Sequence, residues 1–250
     1  MKLDEIIKVL EAYAPTHLCE SWDNSGLMLG RRTQDIKKCY VSLDVTDSVI
    51  NCAIENQCEL IVTHHPFLME GLKSIDLDTP KGARIAKLLK HNIAVYSMHT
   101  NFDSCIGGVN DVLCERLGLT DYQPEEQSIC RKGSFPDAMK FRDFISLIKD
   151  VLQVSYVNYT GDLNKTIKTV AVLGGSGGSL IHDMTDCDAY LTGEAKYHEF
   201  QQAEDAGLCM VTAGHFETEA ISLDKIRQLL SQLNLEVVLQ ETYRGFYRII

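Results

Sequence analysis

The chain has 250 residues, 45% of them hydrophobic, and a mean hydropathy near zero, which is enough apolar material for one large α/β domain or two smaller lobes and excludes disorder. A formal net charge of −11 argues against a surface built for nucleic-acid backbones, and no apolar run approaches the ~18 to 20 residues a membrane-spanning helix needs. Nine cysteines, an odd number with no CxxC pair, read as buried thiols in a reducing compartment, so a cytoplasmic protein is expected.

The N-terminal stretch places Leu3, Ile6, Ile7 and Leu10 at helical spacing and ends before Pro15; its acids argue against a signal peptide. Buried strands are expected over 39–43, 60–63 and 93–98, where β-branched and apolar residues run together. Helices fall between them. One covers about 47–56, and the next starts where Thr79 can cap and Pro80 takes the first helical position, carrying Ile85, Leu88 and Leu89. A third ends at Leu117, because Gly118 can adopt the left-handed conformation that closes a helix. The stretch 120–137, with Pro124, Pro136 and the acidic pair Glu125 and Glu126, reads as a connector between two lobes, about 1–125 and 126–250. A helix over 138–152 follows it, then strands over 169–173, 189–192 and 208–212.

The halves echo one another. YVSLD, LIVTHH and AVYSMHTNFD in the first correspond to VAVLG, AYLTGE and CMVTAGHFETE in the second, with a helix expected in each interval. The offset is close to 130 residues for the first two strands and about 115 for the third. Short βαβ crossovers imply parallel strands covered by helices, with their carboxyl ends gathered at one edge, where such folds bind ligands.

Polar groups gather at those strand ends. LIVTHHPF delivers His64 and His65 where Pro66 stops the strand, a pattern that raises the expectation of metal binding above that for a lone structural histidine. His99 and Asp103 follow the next strand; Asp103 alone would more readily be a helix cap. In VTAGHFETE, a helix beginning near His215 puts its imidazole and the Glu219 carboxylate on one face, one turn apart. Capping acids at a helix start would also account for Glu217 and Glu219. Taken together, the mixed nitrogen and oxygen donors suit zinc, iron or manganese. Two divalent ions against two carboxylates leave a nominal excess of positive charge that an anionic substrate would balance. In GEAKYHE, Glu194 and His198 mirror the double histidine and are candidate general acid/base groups, whereas Lys196 and Glu199 fit surface helix polarity as well. The GGSGGS run at 174–179 lacks the Lys-Ser/Thr of a P-loop and the G-x-G-x-x-G spacing, so a tight strand-to-helix turn is expected ahead of phosphate contact.

SWDNSGLMLG (21–30), VTHHPF (62–67), HTNFD (99–103), GEAKYHE (193–199) and GHFETE (214–219) together resemble the Nif-three-like family of dinuclear metal-centre proteins, often called GTP cyclohydrolase I type 2 homologues. The resemblance runs through essentially the whole chain and fits the short form, without the inserted domain of longer members. It implies a two-lobed α/β fold, a single Nif-three-like domain over 1–250, and a ring-shaped homohexamer. It also implies two metal ions per subunit, held by His64, His65, Asp103, His215 and a bridging Glu219, with His99 as a further ligand or a support, and it puts the SWDNSG loop near the metals.

Two functional classes follow from this sequence. The first is a metal-dependent hydrolase acting on a nucleotide-like or phosphorylated small molecule, with the cyclohydrolase reaction as one form. The second is a non-catalytic metal-binding protein acting in stress response or regulation through partner contacts. DNA binding in a ring's central hole is disfavoured by the charge, and no membrane association is expected.

Overall fold

Apolar runs alternating with amphipathic stretches fold, in the computed structural model, into two helix-flanked sheets. Residues 1–124, 129–184, 186–240 and 245–246 are described. In chain order the elements are α1 (Leu3–Tyr13), β1 (Gly26–Leu29), β2 (Lys38–Ser42), α2 (Asp47–Glu55), β3 (Leu60–Thr63), α3 (Pro80–Lys90), β4 (Ala94–Ser97), α4 (Thr100–Ser104) and α5 (Val109–Leu117). They continue with β5 (Thr120–Pro124), β6 (Arg131–Lys140), α6 (Phe141–Leu152), β7 (Asn158–Thr160), β8 (Thr166–Leu173), β9 (Ala189–Thr192), α7 (Tyr197–Asp205), β10 (Cys209–Thr212), α8 (His215–Ala220), α9 (Leu223–Ser231) and β11 (Glu236–Leu239). The chain divides into two compact units, one formed by Met1–Cys105 and the segment beginning at Leu223, the other by Ile106–Ser222.

The first unit carries a sheet in the order β1-β4-β3-β2-β11. β4, β3, β2 and β11 run parallel, while β1 closes one edge antiparallel to β4. β2, β3 and β4 are almost wholly buried, which is why they read as continuous apolar runs instead of alternating ones. Tyr40, Ile61 and Val95 pack on one face with Val49, Ile50 and Ala53 of α2 and Ile85 and Leu88 of α3. Both helices start on threonine caps: Thr46 accepts from the Val49 amide and Thr79 from the Gly82 amide, with Pro80 inside the first turn.

The second unit's sheet has the order β5-β6-β8-β9-β10-β7. Its centre, β8-β9-β10, is parallel, and the outer pairings are antiparallel. Alternate residues feed two separate cores. Val170, Val172, Leu191 and Val211 pack with Phe141, Phe144 and Ile148 of α6, whereas Ala171, Leu173, Tyr190 and Met210 pack with Ala203 of α7 and with Met184. In each unit three consecutive strands run parallel, and the third is flanked by an antiparallel strand that precedes the first in the chain.

Several expectations are corrected. Over 120–124 and 131–137 the chain is strand where loop was expected: β5 and β6 pair antiparallel, with a register shift between Thr120 and Gln123, and belong to the second sheet. The prolines there mislead: Pro124 ends an edge strand, and Pro136 lies in the irregularity between Ser134 and Met139 where β6 slips against β8, both places where a missing N–H is tolerated. Glu125 and Glu126 fall outside the described residues, as does the expected boundary at 125/126. The compact units divide earlier, at Cys105, since Leu113, Cys114 and Leu117 of α5 pack into the second unit's core. The chain also returns to the first unit, where β11 pairs with β2. α6 starts at Phe141 because Met139 and Lys140 still pair with β8. After GGSGGS there is only a 3-10 turn, Gly178–Asp183, in place of the helix expected there.

All nine cysteines carry reduced thiols, six of them buried, and burial pushes the Cys58 thiol up to about 11 and Cys114 to about 12. Such thiols are packing groups, not nucleophiles at neutral pH. Among the described residues no helix is long and apolar enough to cross a membrane.

Candidate metal centre

In the first unit the polar groups follow the carboxyl ends of β3 and β4. Parallel pairing puts Thr63 beside Ser97, and their hydroxyls hydrogen-bond at 2.9 Å, fixing the register of the two strand ends. His64, His65 and His99 emerge directly beyond. Their ring centroids lie 5.2 to 5.8 Å apart, and one ring nitrogen from each lies within 4.8 Å of the others, so the three could hold a metal ion.

Each ring is fixed from behind through Nδ1. His64, fully buried, meets the Met98 carbonyl at 2.8 Å; His65 meets Asp44 Oδ1 at 2.8 Å; His99 meets Asp23 Oδ1 at 2.7 Å. A carbonyl or carboxylate can only accept, so in the neutral rings the proton sits on Nδ1 and the lone pair on Nε2. This is how metal-binding histidines are usually oriented, with an outer acceptor fixing the tautomer. Asp103 is also placed here. It lies within α4, not at its cap, is buried, and puts Oδ1 3.6 Å from His64 Nε2. The capping alternative is not what the chain does, because α4 starts three residues earlier, after His99.

Asp23 carries more than one bond. Besides His99 it accepts from the Ser25 hydroxyl at 2.9 Å and from the Thr100 amide and hydroxyl at 3.1 and 2.5 Å. Burial by itself would raise its pKa, but the hydrogen bonds from His99 and Thr100 outweigh that and hold the carboxyl well below the usual carboxylate range.

In the second unit the equivalent positions follow β9 and β10. His215 opens α8, and its Nε2 lies 3.2 Å from Glu219 Oε2, the one-turn pair expected from the spacing. Its Nδ1 lies 3.2 Å from Glu194 Oε2. Glu219 is buried and Glu194 is partly exposed. His198 lies exposed in the first turn of α7. Glu199, for which surface polarity was an equal reading, is buried, and its Oε2 accepts the Lys196 amide at the start of that helix.

A family model described as Duf34/NIF3 (NGG1p interacting factor 3) matches residues 1–244 of this sequence. The chain belongs to the Duf34/NIF3 family. A Clostridium perfringens relative named GTP cyclohydrolase 1 type 2 homolog is 39% identical over 241 residues, covering 93% of this chain and 92% of that protein. A Campylobacter jejuni protein of the same name is 35% identical over 247 residues, covering 98% and 99%. Among solved structures, reduced HcgD from Methanocaldococcus jannaschii is 32% identical with a TM-score of 0.84, over 96% of this chain and 97% of that one. A Bacillus cereus protein related to NIF3 shares the fold with a TM-score of 0.94 at 22% identity, over 100% and 99%.

Sequence reading of this NIF3 chain named neither Asp23 nor Asp44, although the resemblance put the SWDNSG loop that carries Asp23 near the metals. Asp44 could have been found, since it ends YVSLD at the carboxyl edge of a parallel strand, where the other site groups lie. Asp23 is 76 residues from His99 and gives no spacing signal. The GGSGGS run is a turn, leading into the 3-10 segment Gly178–Asp183 and not into the helix expected. Its four glycine amides are committed internally: Gly174 to Asn110 Oδ1, Gly175 to Thr218 Oγ1, Gly177 to Thr192 Oγ1 and Gly178 to the Glu194 carbonyl.

Gly175 in this NIF3 turn has φ +69°, and a Cβ there would sit 2.1 Å from Glu219 Oε1 and 3.3 Å from His215 Nε2. Gly175→Ala should therefore displace the Glu219 carboxylate as well as strain the backbone, costing about 1–2 kcal/mol from the positive φ alone. Urea unfolding measures the cost, and unchanged stability would mean that the turn relaxes at no expense.

Proposed function

We propose that this chain is a dinuclear divalent-metal protein that hydrolyses a nucleotide-like or phosphorylated small molecule. The observation that carries the reading is the convergence of His64, His65 and His99, each ring fixed through Nδ1 by an acceptor. The proposed ligands are these three with Asp103, His215 and Glu219, the last as a bridge. Bound divalent ions would supply Lewis-acid polarisation of the attacked group and a water of lowered pKa. The chain's own residues orient the ligating nitrogens and move protons. Glu194 and His198 are the proposed proton-transfer groups, and the hydrogen bond that Glu194 Oε2 accepts from His215 Nδ1 supports the first of them. The name GTP cyclohydrolase 1 type 2 homolog carried by the relatives makes GTP the first substrate to try.

The test begins with protein purified without added metal or chelator. Elemental analysis should give two ions per chain, and incubation with GTP or a panel of phosphoesters should give metal-dependent product that a His65→Ala control does not form. Retained metal with no turnover across that panel would overturn the hydrolase reading and favour a binding role. The ring-shaped homohexamer belongs to the same proposal, and light scattering should return six times the 28.0 kDa chain mass.

Asp44→Asn removes the negative charge behind His65 while keeping an acceptor. It should weaken metal binding by about 10- to 100-fold, the usual cost of losing an outer partner. Competition against a chromophoric chelator reads this directly; an unchanged constant would show that Asp44 only packs.

A further inference from the structure

The only tryptophan of the chain, Trp22, is 62% exposed beside His99, their ring centroids 5.9 Å apart and the planes 78° to one another. An indole this open on a flexible loop would gain by folding down onto apolar neighbours. This loop is not free to do so. The Glu20 amide donates to Thr100 Oγ1 at 2.9 Å. Asp23 is held by His99, Thr100 and Ser25, and Asn24 donates its side-chain N–H to the Leu68 carbonyl. Tethers on both sides of Trp22 thus hold its backbone at the edge of the histidine cluster, with the indole against His99. An exposed aromatic face carried on a tethered loop next to a polar centre is a surface suited to a flat ligand.

The geometry points to Trp22 as the platform on which the heterocyclic base of the substrate stacks, with its phosphate or reacting atoms toward the histidines. This rests on the nucleotide-like substrate proposed above and narrows it to molecules that carry a planar base. Stacking is tolerant of which base is present, because every base offers a π-face. Trp22 is then a binding residue acting mainly on affinity, and Asp23 serves two ends at once, fixing the His99 ring and the loop that carries the platform.

Because Trp22 is the sole tryptophan, its fluorescence reports on this surface alone. Metal-loaded full-length protein titrated with guanosine and with GTP should show saturable quenching, whereas ribose 5-phosphate should give none. By calorimetry, Trp22→Ala should weaken guanosine binding by about 5- to 150-fold, the range that base–aromatic stacking supplies. Trp22→Phe should recover much of it, with metal content and circular dichroism unchanged in both. Equal guanosine affinity in the wild type and Trp22→Ala would overturn the platform. So would an indole shielded from acrylamide in the ligand-free protein, since a neighbouring copy would then cover it. Base-dependent quenching without any turnover supports the platform while sinking the hydrolase. Turnover with an unchanged KM in Trp22→Ala does the reverse.

Discussion

His65→Ala should lower metal affinity by more than the roughly 100-fold expected from losing an outer partner, while leaving the unfolding midpoint nearly unmoved. The His65 side chain is 23% exposed, and the Asp44 carboxylate behind it is one that water can serve instead. His64→Ala should damage both properties. His64 is fully buried, and removing it leaves the Met98 carbonyl without its donor, a loss of about 1–3 kcal/mol before any cavity is counted. Chelator competition and urea unfolding on the two variants separate the contributions. Wild-type metal affinity in His65→Ala would remove His65 from the ligand set and with it the centre as proposed.

The largest expected loss of stability lies away from the histidines. Arg131, 2% exposed at the start of β6, donates through Nε to Asp111 Oδ1 in α5, and its Nη1 donates to the Ile129 carbonyl at 3.2 Å. The second Asp111 oxygen accepts the Gly107 amide at 2.7 Å. Arg131→Ala strands a buried carboxylate and should cost about 3–5 kcal/mol in urea unfolding. The double change Arg131→Met with Asp111→Leu should recover much of that, because it removes both charges and refills the space. A loss below about 1 kcal/mol for the single variant would show that water reaches Asp111. The pair also bears on the site. The neighbouring Asn110 donates to the Ile129 carbonyl and accepts the Gly174 amide, so the start of α5 supports the turn that places Gly175 against Glu219. A loosened α5 should therefore also disturb the His215–Glu219 pair.

Much of this was legible in the linear chain. The double histidine at the end of β3 and the one-turn spacing of His215 and Glu219 are local patterns, and short-range geometry realises them directly. The cap at Thr79 and the left-handed Gly118 belong to the same class. β5 and β6 were not legible, since two prolines mark a loop unless an edge or a bulge takes up the missing donor. The buried Arg131 gave no warning either, because a strand-end arginine is ordinarily solvated.

The sequence by itself determined that histidines and acids would stand at the carboxyl ends of parallel strands, because strand and helix periodicity and βαβ handedness follow from near neighbours. Tertiary structure alone decided which acceptor stands behind each ring. His99 meets Asp23 across 76 residues and His65 meets Asp44 across 21. It likewise decided that β11 returns to pair with β2 in the first unit. These contacts depend on where distant backbone segments come to rest, and no local spacing encodes that.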